Sequence, residues 1–398
     1  MMPDNAAKTD QAIRIGFIPL LDAAPVIVAS ELSFAKDEGI AIELIRETSW
    51  ATLRDRLAVA HLDAAHILAP LALADSLSLT PLPVGLVVPM ALGAAGNTIT
   101  VSRSVLADLR RHGADDSLDP QRSARAFASL VAERRAANLA RLSLAIVHTY
   151  SAHHFQLAYW LGWAGVRPGV DVELVVIPPS LTAAALESAR IDGICVGEPW
   201  GSLAASMGVG HVVTTSAHIW NGGPDKVLGV RRAFANQAPD KTAALVRAIY
   251  RAACWCEDPG NQTELTVLLS RPHLIGQPAE VIKTALARRS PASLPTRGNA
   301  FLSFSAGGAT LPRYEHAAWF LAQMVRWGLT ELTAASIAAV RDTYRADLFH
   351  AALASITPPT VSRPAKDDVL FDGTSFDPDR IAEYISSFPV RARDTSRS

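Results

Sequence analysis

Short apolar runs alternate with amphipathic segments along the first two hundred residues. Runs such as "IRIGFIPL" are typical of buried strands, and segments with apolar residues spaced three and four apart are typical of helices. The predicted strands are 13–20, 40–47, 63–70, 143–150, 171–179 and 193–199, and the predicted helices between them are 24–39, 50–62, 153–165 and 180–191. This alternation favours an α/β fold with open parallel sheets.

The pattern divides the chain into two α/β units and a helix-rich C-terminal part. We predict that residues 12–102 form the first part of lobe 1, 103–218 form lobe 2, 219–350 complete lobe 1, and 351–398 form a C-terminal tail. Open α/β sheets bind ligands beyond the carboxyl ends of their strands. Two such lobes facing one another are therefore expected to form a clamp with a ligand-binding cleft.

The amino-acid composition is that of a folded protein and does not indicate binding to nucleic acid or to a charged membrane. The 398 residues are 49% hydrophobic and 19% charged, with a formal net charge of -1. A charge so close to zero does not attract nucleic acid or an anionic membrane, so we expect neither as a partner. The start "MMPDNAAKTDQ" is not a basic segment followed by an apolar run, and no stretch has the roughly 18 apolar residues of a membrane span. We therefore expect a cytoplasmic protein.

Motifs of common enzymes are missing from the sequence. It has no phosphate-binding P-loop, no nucleophile elbow and no dinucleotide-binding glycine motif. His153 and His154 lie close to His148, but adjacent residues on a helix point apart, so the three do not converge on a metal ion. We therefore expect a binding protein rather than an enzyme, without cofactor or metal.

Five segments together carry a resemblance to a known family. They are "SWATLRDRLAVAHLDAAHILAPLALA", "AAGNTITVS", "HHFQLAYWLGWAGVRPGVDVELVVIPP", "IDGICVGEPWGS" and "IWNGGPDKVLG". In this order they resemble the nitrate- and bicarbonate-binding solute-receptor family, which has the type II periplasmic-binding-protein fold and is related to the taurine and sulfonate receptors. Transport members are secreted lipoproteins. Because this chain shows no signal, it most resembles the cytoplasmic NasS-type nitrate/nitrite sensors.

The resemblance implies a partner as well as a ligand. NasS-type sensors sequester a NasT-like RNA-binding antiterminator of the ANTAR type when they are ligand-free, and they release it when nitrate or nitrite binds. The expected function is therefore a cytoplasmic sensor that regulates nitrate assimilation. The alternative is a substrate-binding protein of an ABC transporter for nitrate or a related small anion, such as bicarbonate, taurine or a sulfonate.

The resemblance also implies seven ligand-binding residues. They are Trp50, Asn97, His153, Pro178, Val196, Gly197 and Lys226. Nitrate is planar, monovalent and a weak hydrogen-bond acceptor, so its site needs one positive charge, a few N–H donors and an apolar wall. We expect Lys226 to supply the charge from a loop, and His153 to lie at a helix N-terminus, where anions are favoured.

Two charged positions, Lys226 and Glu198, refine the choice of ligand. The bicarbonate receptors resemble this chain but carry an acidic residue at the place of Lys226, so the lysine favours nitrate or nitrite. Glu198, at the end of a predicted strand, would repel an anion from the same cleft. We therefore expect Glu198 to be structural, accepting hydrogen bonds from backbone N–H groups or pairing with a cation.

Overall fold

The chain folds into two five-stranded mixed sheets and one two-stranded sheet, flanked by helices, in a computed structural model that describes residues 12–220, 222–288, 301–356 and 369–392. Its strands are β1 (Ile13–Phe17), β2 (Ile42–Arg46), β3 (Ala64–Leu68), β4 (Leu86–Ala91), β5 (Ala94–Ala95), β6 (Asn97–Ser102), β7 (Ser143–Ile146), β8 (Glu173–Val176), β9 (Gly193–Gly197), β10 (Gly210–Thr215), β11 (Lys226–Arg231) and β12 (Leu302–Ser303).

Helices cover both sheets and dominate the C-terminal part. They are α1 (Ala24–Glu31), α2 (Phe34–Asp37), α3 (Trp50–Ala58), α4 (Ala69–Ser76), α5 (Arg103–Arg111), α6 (Pro120–Ala136), α7 (Ala152–Trp163), α8 (Thr182–Glu187), α9 (Trp200–Ser206), α10 (Ser216–Ile219), α11 (Arg232–Gln237), α12 (Pro239–Glu257), α13 (Gln262–Leu269), α14 (Ala279–Ala287), α15 (Tyr314–Arg326), α16 (Ala334–Thr343), α17 (Ala346–Leu353) and α18 (Ile381–Ser386). Within the described ranges, no helix is long and apolar enough to cross a membrane.

Each of the two five-stranded sheets defines one lobe, and β5 pairs with β12 in a separate two-stranded sheet. The order is β2-β1-β3-β11-β4 in lobe 1 and β10-β6-β9-β7-β8 in lobe 2. Strand β1 runs parallel to β2 and β3, and β7 runs parallel to β8 and β9, as expected. Strands β11 and β6 instead run antiparallel to their neighbours. The predicted two-lobed α/β fold is thus confirmed, but the sheets are mixed rather than parallel.

The first crossing between the lobes lies at another place than the sequence pattern indicated, and the second lies where it was predicted. Strand β6 (Asn97–Ser102) hydrogen-bonds to β9 and β10, so lobe 2 begins before Asn97 and not after residue 102. The chain returns to lobe 1 between β10 and β11. Lys226, expected in a loop, is the first residue of β11 and pairs with Leu68 of β3 inside the lobe 1 sheet. Strands that begin beside a crossover place their first residues at the junction of the lobes.

The C-terminal tail binds both lobes. Tyr159 of α7 donates a hydrogen bond to Asp372 at 2.9 Å, which joins the tail to lobe 2. Trp319 of α15 donates through its indole N–H to the hydroxyl of Tyr384 in α18 at 2.8 Å, which joins the tail to lobe 1. Residues 357–368 and 393–398 of the predicted tail lie outside the described residues.

Helix α9 lies unusually close to strand β6 at one glycine. A Cβ atom at Gly201 would lie 2.0 Å from Oγ1 of Thr98 and 3.2 Å from Oγ1 of Thr100. Because only glycine leaves room for these two hydroxyls, α9 can pack directly on the strand that begins with Asn97. This contact fixes the lobe 2 side of the junction.

Replacing Gly201 by alanine should lower the free energy of unfolding by about 1–3 kcal/mol, despite the better helix propensity of alanine, because the added methyl group overpacks the α9–β6 contact. The matched control Ala205→Ser adds one atom to the exposed face of the same helix and should change stability by less than about 0.5 kcal/mol. Urea unfolding followed by tryptophan fluorescence measures both. Equal stability of the two variants would contradict the tight contact.

Candidate functional site

A buried polar cluster lies where the two lobes meet. Lobe 1 contributes Trp50 and Lys226, which are both 1% exposed, and lobe 2 contributes Asn97 at 1% and His153 at 0%. Trp50 begins α3, Lys226 begins β11 and Asn97 begins β6, while His153 is the second residue of α7. The structure therefore brings together four of the residues that the resemblance implied.

Trp50 forms the lobe 1 wall of the cluster. The hydroxyl of Ser49 accepts a hydrogen bond from the backbone N–H of Thr52 at 3.1 Å, which caps α3 and fixes Trp50 at its first position. The ammonium of Lys226 lies 5.8 Å from the centre of the indole ring. The centre of the His66 ring lies 5.6 Å from the centre of the same indole ring. The indole thus packs on the charged group of the cluster.

His153 faces the cluster from the first turn of α7. The hydroxyl of Ser151 caps this helix by accepting a hydrogen bond from the backbone N–H of His154 at 3.1 Å. The ring of His154 is turned elsewhere, and its Nδ1 bonds the carbonyl oxygen of Thr149 at 2.7 Å. His153 therefore has the position at a helix N-terminus that favours an anion.

Gly197 keeps the space between these side chains open. It pairs with Asn97 in the β6–β9 register. A Cβ atom at Gly197 would lie 3.3 Å from Oδ1 of Asn97, 3.6 Å from Nε2 of His153 and 3.2 Å from a methyl group of Leu20. Any larger residue would project into the point where groups of both lobes converge.

Two of the predicted residues lie differently from the rest. Successive residues of a strand point to opposite faces, so Val196 points away from Gly197, and its side chain is fully buried in the core cluster with Ile194 and Trp200. Only its backbone can line the site. Pro178 follows β8, the edge strand, which is separated from β9 by β7 and thus by roughly 10 Å. The role of Pro178 in ligand binding stays a prediction.

Two carboxylates that sequence reasoning missed hold the ammonium of Lys226. Its Nζ donates to Oδ2 of Asp22 at 2.8 Å and to Oδ2 of Asp225. Asp22 is also bonded by Nε2 of His66 at 2.8 Å. All four side chains are buried. The expectation that Lys226 offers a free positive charge is therefore wrong, because two acidic groups already share that charge.

These contacts determine the ionisation of the cluster. Burial raises the pKa of Asp22, but Lys226 and His66 outweigh it and hold that pKa well below its usual range. Burial raises the pKa of Asp225 to about 7, against the attraction of Lys226. Burial lowers the pKa of His66, and burial together with Lys226 lowers the pKa of His153. At neutral pH both imidazoles are therefore uncharged, and Asp225 holds a proton more readily than Asp22 does.

Several buried polar atoms of the cluster have no hydrogen-bond partner. They are Nε1 of Trp50, both ring nitrogens of His153, Oδ1 of Asn97, Oδ1 of Asp225 and Nδ1 of His66. An unpaired buried polar group costs about 1–3 kcal/mol, so a cluster of them calls for a partner. A small polar molecule among these atoms would pair them. No group of three or more His, Cys, Asp or Glu side chains in the described chain is arranged to hold a metal ion.

Glu198 is a structural carboxylate, as expected. Its Oε2 accepts a hydrogen bond from the backbone N–H of Ser202 and its Oε1 accepts one from the Ser202 hydroxyl, each at 2.9 Å. The guanidinium of Arg288 lies 3.4 Å from the same Oε1. Its charge is thus neutralised outside the cluster.

The segment around Glu198 also closes the cleft between the lobes. The carbonyl oxygen of Glu198 accepts a hydrogen bond from the backbone N–H of Leu21 at 2.8 Å. The indole N–H of Trp200 donates to the carbonyl oxygen of Pro19 at 3.0 Å. These bonds join lobe 2 to the turn after β1, next to Asp22. The polar cluster is therefore enclosed on both sides.

Comparisons with known proteins agree with this fold. The model of the NMT1-like family matches residues 6–270. The nitrate/nitrite binding protein NrtA of Synechococcus elongatus is 29% identical, over 96% of this chain and 87% of its own length. The bicarbonate transport ATP-binding protein CmpC of the same organism is 33% identical, over 96% of this chain and 56% of its own length. This chain thus spans about half the length of that ATP-binding relative.

A solved crystal structure has the same fold as this chain. The crystal structure of the periplasmic nitrate-binding protein NrtA from Synechocystis PCC 6803 superposes with a TM-score of 0.84 and 26% identity, covering 97% of this chain and 100% of that one. The family match covers more than half of the chain and includes every residue of the buried cluster. The chain belongs to the NMT1-like family.

Proposed function

We propose that the chain is a receptor for a small inorganic anion, nitrate or nitrite, which it binds in the buried cluster between its lobes. The observation that carries this proposal is the pair of unpaired donors, the indole N–H of Trp50 and the imidazole of His153, enclosed beside the ammonium of Lys226. The relatives named for nitrate and nitrite binding support it.

The size and polarity of the cluster suit such a ligand. A neutral imidazole has one N–H donor and one acceptor nitrogen, and the indole of Trp50 adds a second donor from the opposite lobe. Donors from both lobes would meet oxygen atoms of one planar anion, so the ligand would connect the lobes. An anion held in this way stabilises the closed form through contacts that an open cleft does not make.

We propose further that the receptor delivers its anion to an ABC-type import system. The name of the CmpC relative, a bicarbonate transport ATP-binding protein, favours this interpretation over the sensor. The NasS-type sensor in the cytoplasm, with a NasT-like antiterminator as partner, is the second interpretation, and it differs in a measurable way from the receptor.

Nitrate or nitrite should raise the thermal stability of the protein. Ligand at about a thousand times Kd adds roughly 4 kcal/mol to the folded state when only that state binds it. A thermal-shift panel with nitrate, nitrite, bicarbonate and taurine measures the effect at equal ionic strength, with sodium chloride as the control. Stabilisation by taurine or bicarbonate but not by nitrate or nitrite would contradict the proposed ligand.

Two neighbouring variants on opposite faces of β9 test the location of the site. Gly197→Val should weaken nitrate binding at least about tenfold, or about 1.4 kcal/mol, because its methyl groups fill the space beside Asn97 and His153. Val196→Ala should leave the affinity unchanged but lower the free energy of unfolding by about 1–3 kcal/mol. Calorimetric titration and urea unfolding give both quantities. If Gly197→Val binds nitrate as tightly as the natural protein, the anion does not bind beside Gly197, and the proposed location of the site is wrong.

Mixing the purified chain with a NasT-like ANTAR antiterminator separates the two interpretations. The receptor proposal predicts separate elution in size-exclusion chromatography, with and without nitrate. The sensor requires a complex that nitrate dissociates, because a ligand shifts a partner equilibrium only through different affinities for the two forms. A nitrate-sensitive complex would therefore overturn the receptor interpretation and support the sensor.

A further inference from the structure

The charges of the buried cluster do not by themselves favour an anion. One ammonium, of Lys226, faces the two carboxylates of Asp22 and Asp225. Both imidazoles beside them have lowered pKa values and add no positive charge. An entering anion would make three negative charges around one positive charge, in a place from which water is excluded. Binding becomes favourable if one carboxylate is neutralised.

The hydrogen bonds distinguish the two carboxylates. Asp22 accepts from the ammonium of Lys226 and from Nε2 of His66, and both bonds stabilise its charged form. Asp225 is bonded by Lys226 through Oδ2, while its Oδ1 is buried and unpaired. A proton is therefore held more easily by Asp225.

Groups from both lobes surround Asp225. Burial disfavours the charged form of its carboxyl group, while Lys226 and, to a smaller extent, Asn97 of β6 favour it. The other charged or titratable groups around Asp225 are Lys226 on β11, Asp22 on the turn after β1, His66 on β3, His153 on α7 and Cys195 on β9. Burial raises the pKa of the Cys195 thiol far above neutrality, so it stays protonated.

We propose that Asp225 is a ligand-binding residue that takes up one proton when the anion binds, so that the site takes the anion and its proton together. The balance is simple: ionised Asp225, one proton from solvent and one anion give the neutral carboxylic acid beside the bound anion. The neutral acid donates through its new O–H to an oxygen atom of the anion. This inference rests on the proposed function.

The sign of the pH dependence follows from this balance. The free protein holds the pKa of Asp225 at about 7, and a bound anion favours the protonated form and raises that pKa further. Below the free pKa the proton is already present, so the affinity is at its maximum and independent of pH. Above it, each binding event must take up a proton, and Kd should rise about tenfold per pH unit.

Calorimetric titration of the full chain with sodium nitrate tests the inference. Titrations at about pH 6 and about pH 8, in buffers of different ionisation enthalpy, should give uptake of close to zero protons at the lower pH and of about one at the higher. Asp225→Asn keeps an acceptor for Lys226 and carries no charge. It should bind nitrate at the higher pH as tightly as the natural protein does at the lower, without proton uptake.

A second readout does not depend on the variant folding. The infrared difference spectrum of the natural protein, with nitrate minus without it at about pH 8, should gain the C=O band of one buried carboxylic acid. If nitrate binds with an affinity that does not change with pH, and neither proton uptake nor this band is seen, the inference is overturned and the proposed function stays intact. Proton uptake that persists in folded Asp225→Asn would place the proton on another group and also overturn it. No nitrate or nitrite binding at any pH would instead overturn the proposed function.

Discussion

The contact of the buried Lys226 ammonium with Asp22 and Asp225 is the interaction that fixes the lobe 1 side of the binding cluster. Transferring an ion out of water costs several kcal/mol, so a buried ammonium persists only with charged partners in good geometry. At an effective dielectric constant of about 20, two unit charges 4 Å apart attract one another by about 4 kcal/mol. The lysine therefore holds together the start of β11, the segment that returns to lobe 1 and the turn after β1.

That requirement explains why the binding site lies where it does. The turn that carries Asp22 is the same turn to which the Glu198–Trp200 segment of lobe 2 is hydrogen-bonded. The ion cluster of lobe 1 and the closing contacts of lobe 2 thus share one short stretch of backbone. An anion bound beside Lys226 would act on both at once, which gives the cleft a direct physical link between ligand binding and closure.

Some of this was predictable from the sequence, and the reasons differ among residues. The apolar alternation predicted most strands of both sheets, and the segments shared with the family implied Trp50, His153 and Gly197. Strand β11 was missed because its identity depends on pairing with β3 and β4, which are distant in sequence. Only this pairing shows that Lys226 is buried and must be neutralised.

For other residues of the site the sequence holds only weaker indications. His66 lies within the apolar run "AAHIL", and a polar side chain in a buried strand needs a hydrogen-bond partner. Asp22 and Asp225 follow turns and look like ordinary surface acids until the fold brings them to the lysine. Strand alternation alone separates Val196 from Gly197, because successive residues of a strand point to opposite faces.

A crystal structure of the protein with bound nitrate would test the central claim most directly. The account predicts one anion enclosed between the lobes, with oxygen atoms within hydrogen-bonding distance of the Trp50 indole nitrogen and of a His153 ring nitrogen, and with Lys226 still paired to Asp22. Nitrate bound elsewhere, or a cluster whose unpaired atoms are satisfied by protein groups alone while the anion lies on the surface, would contradict it.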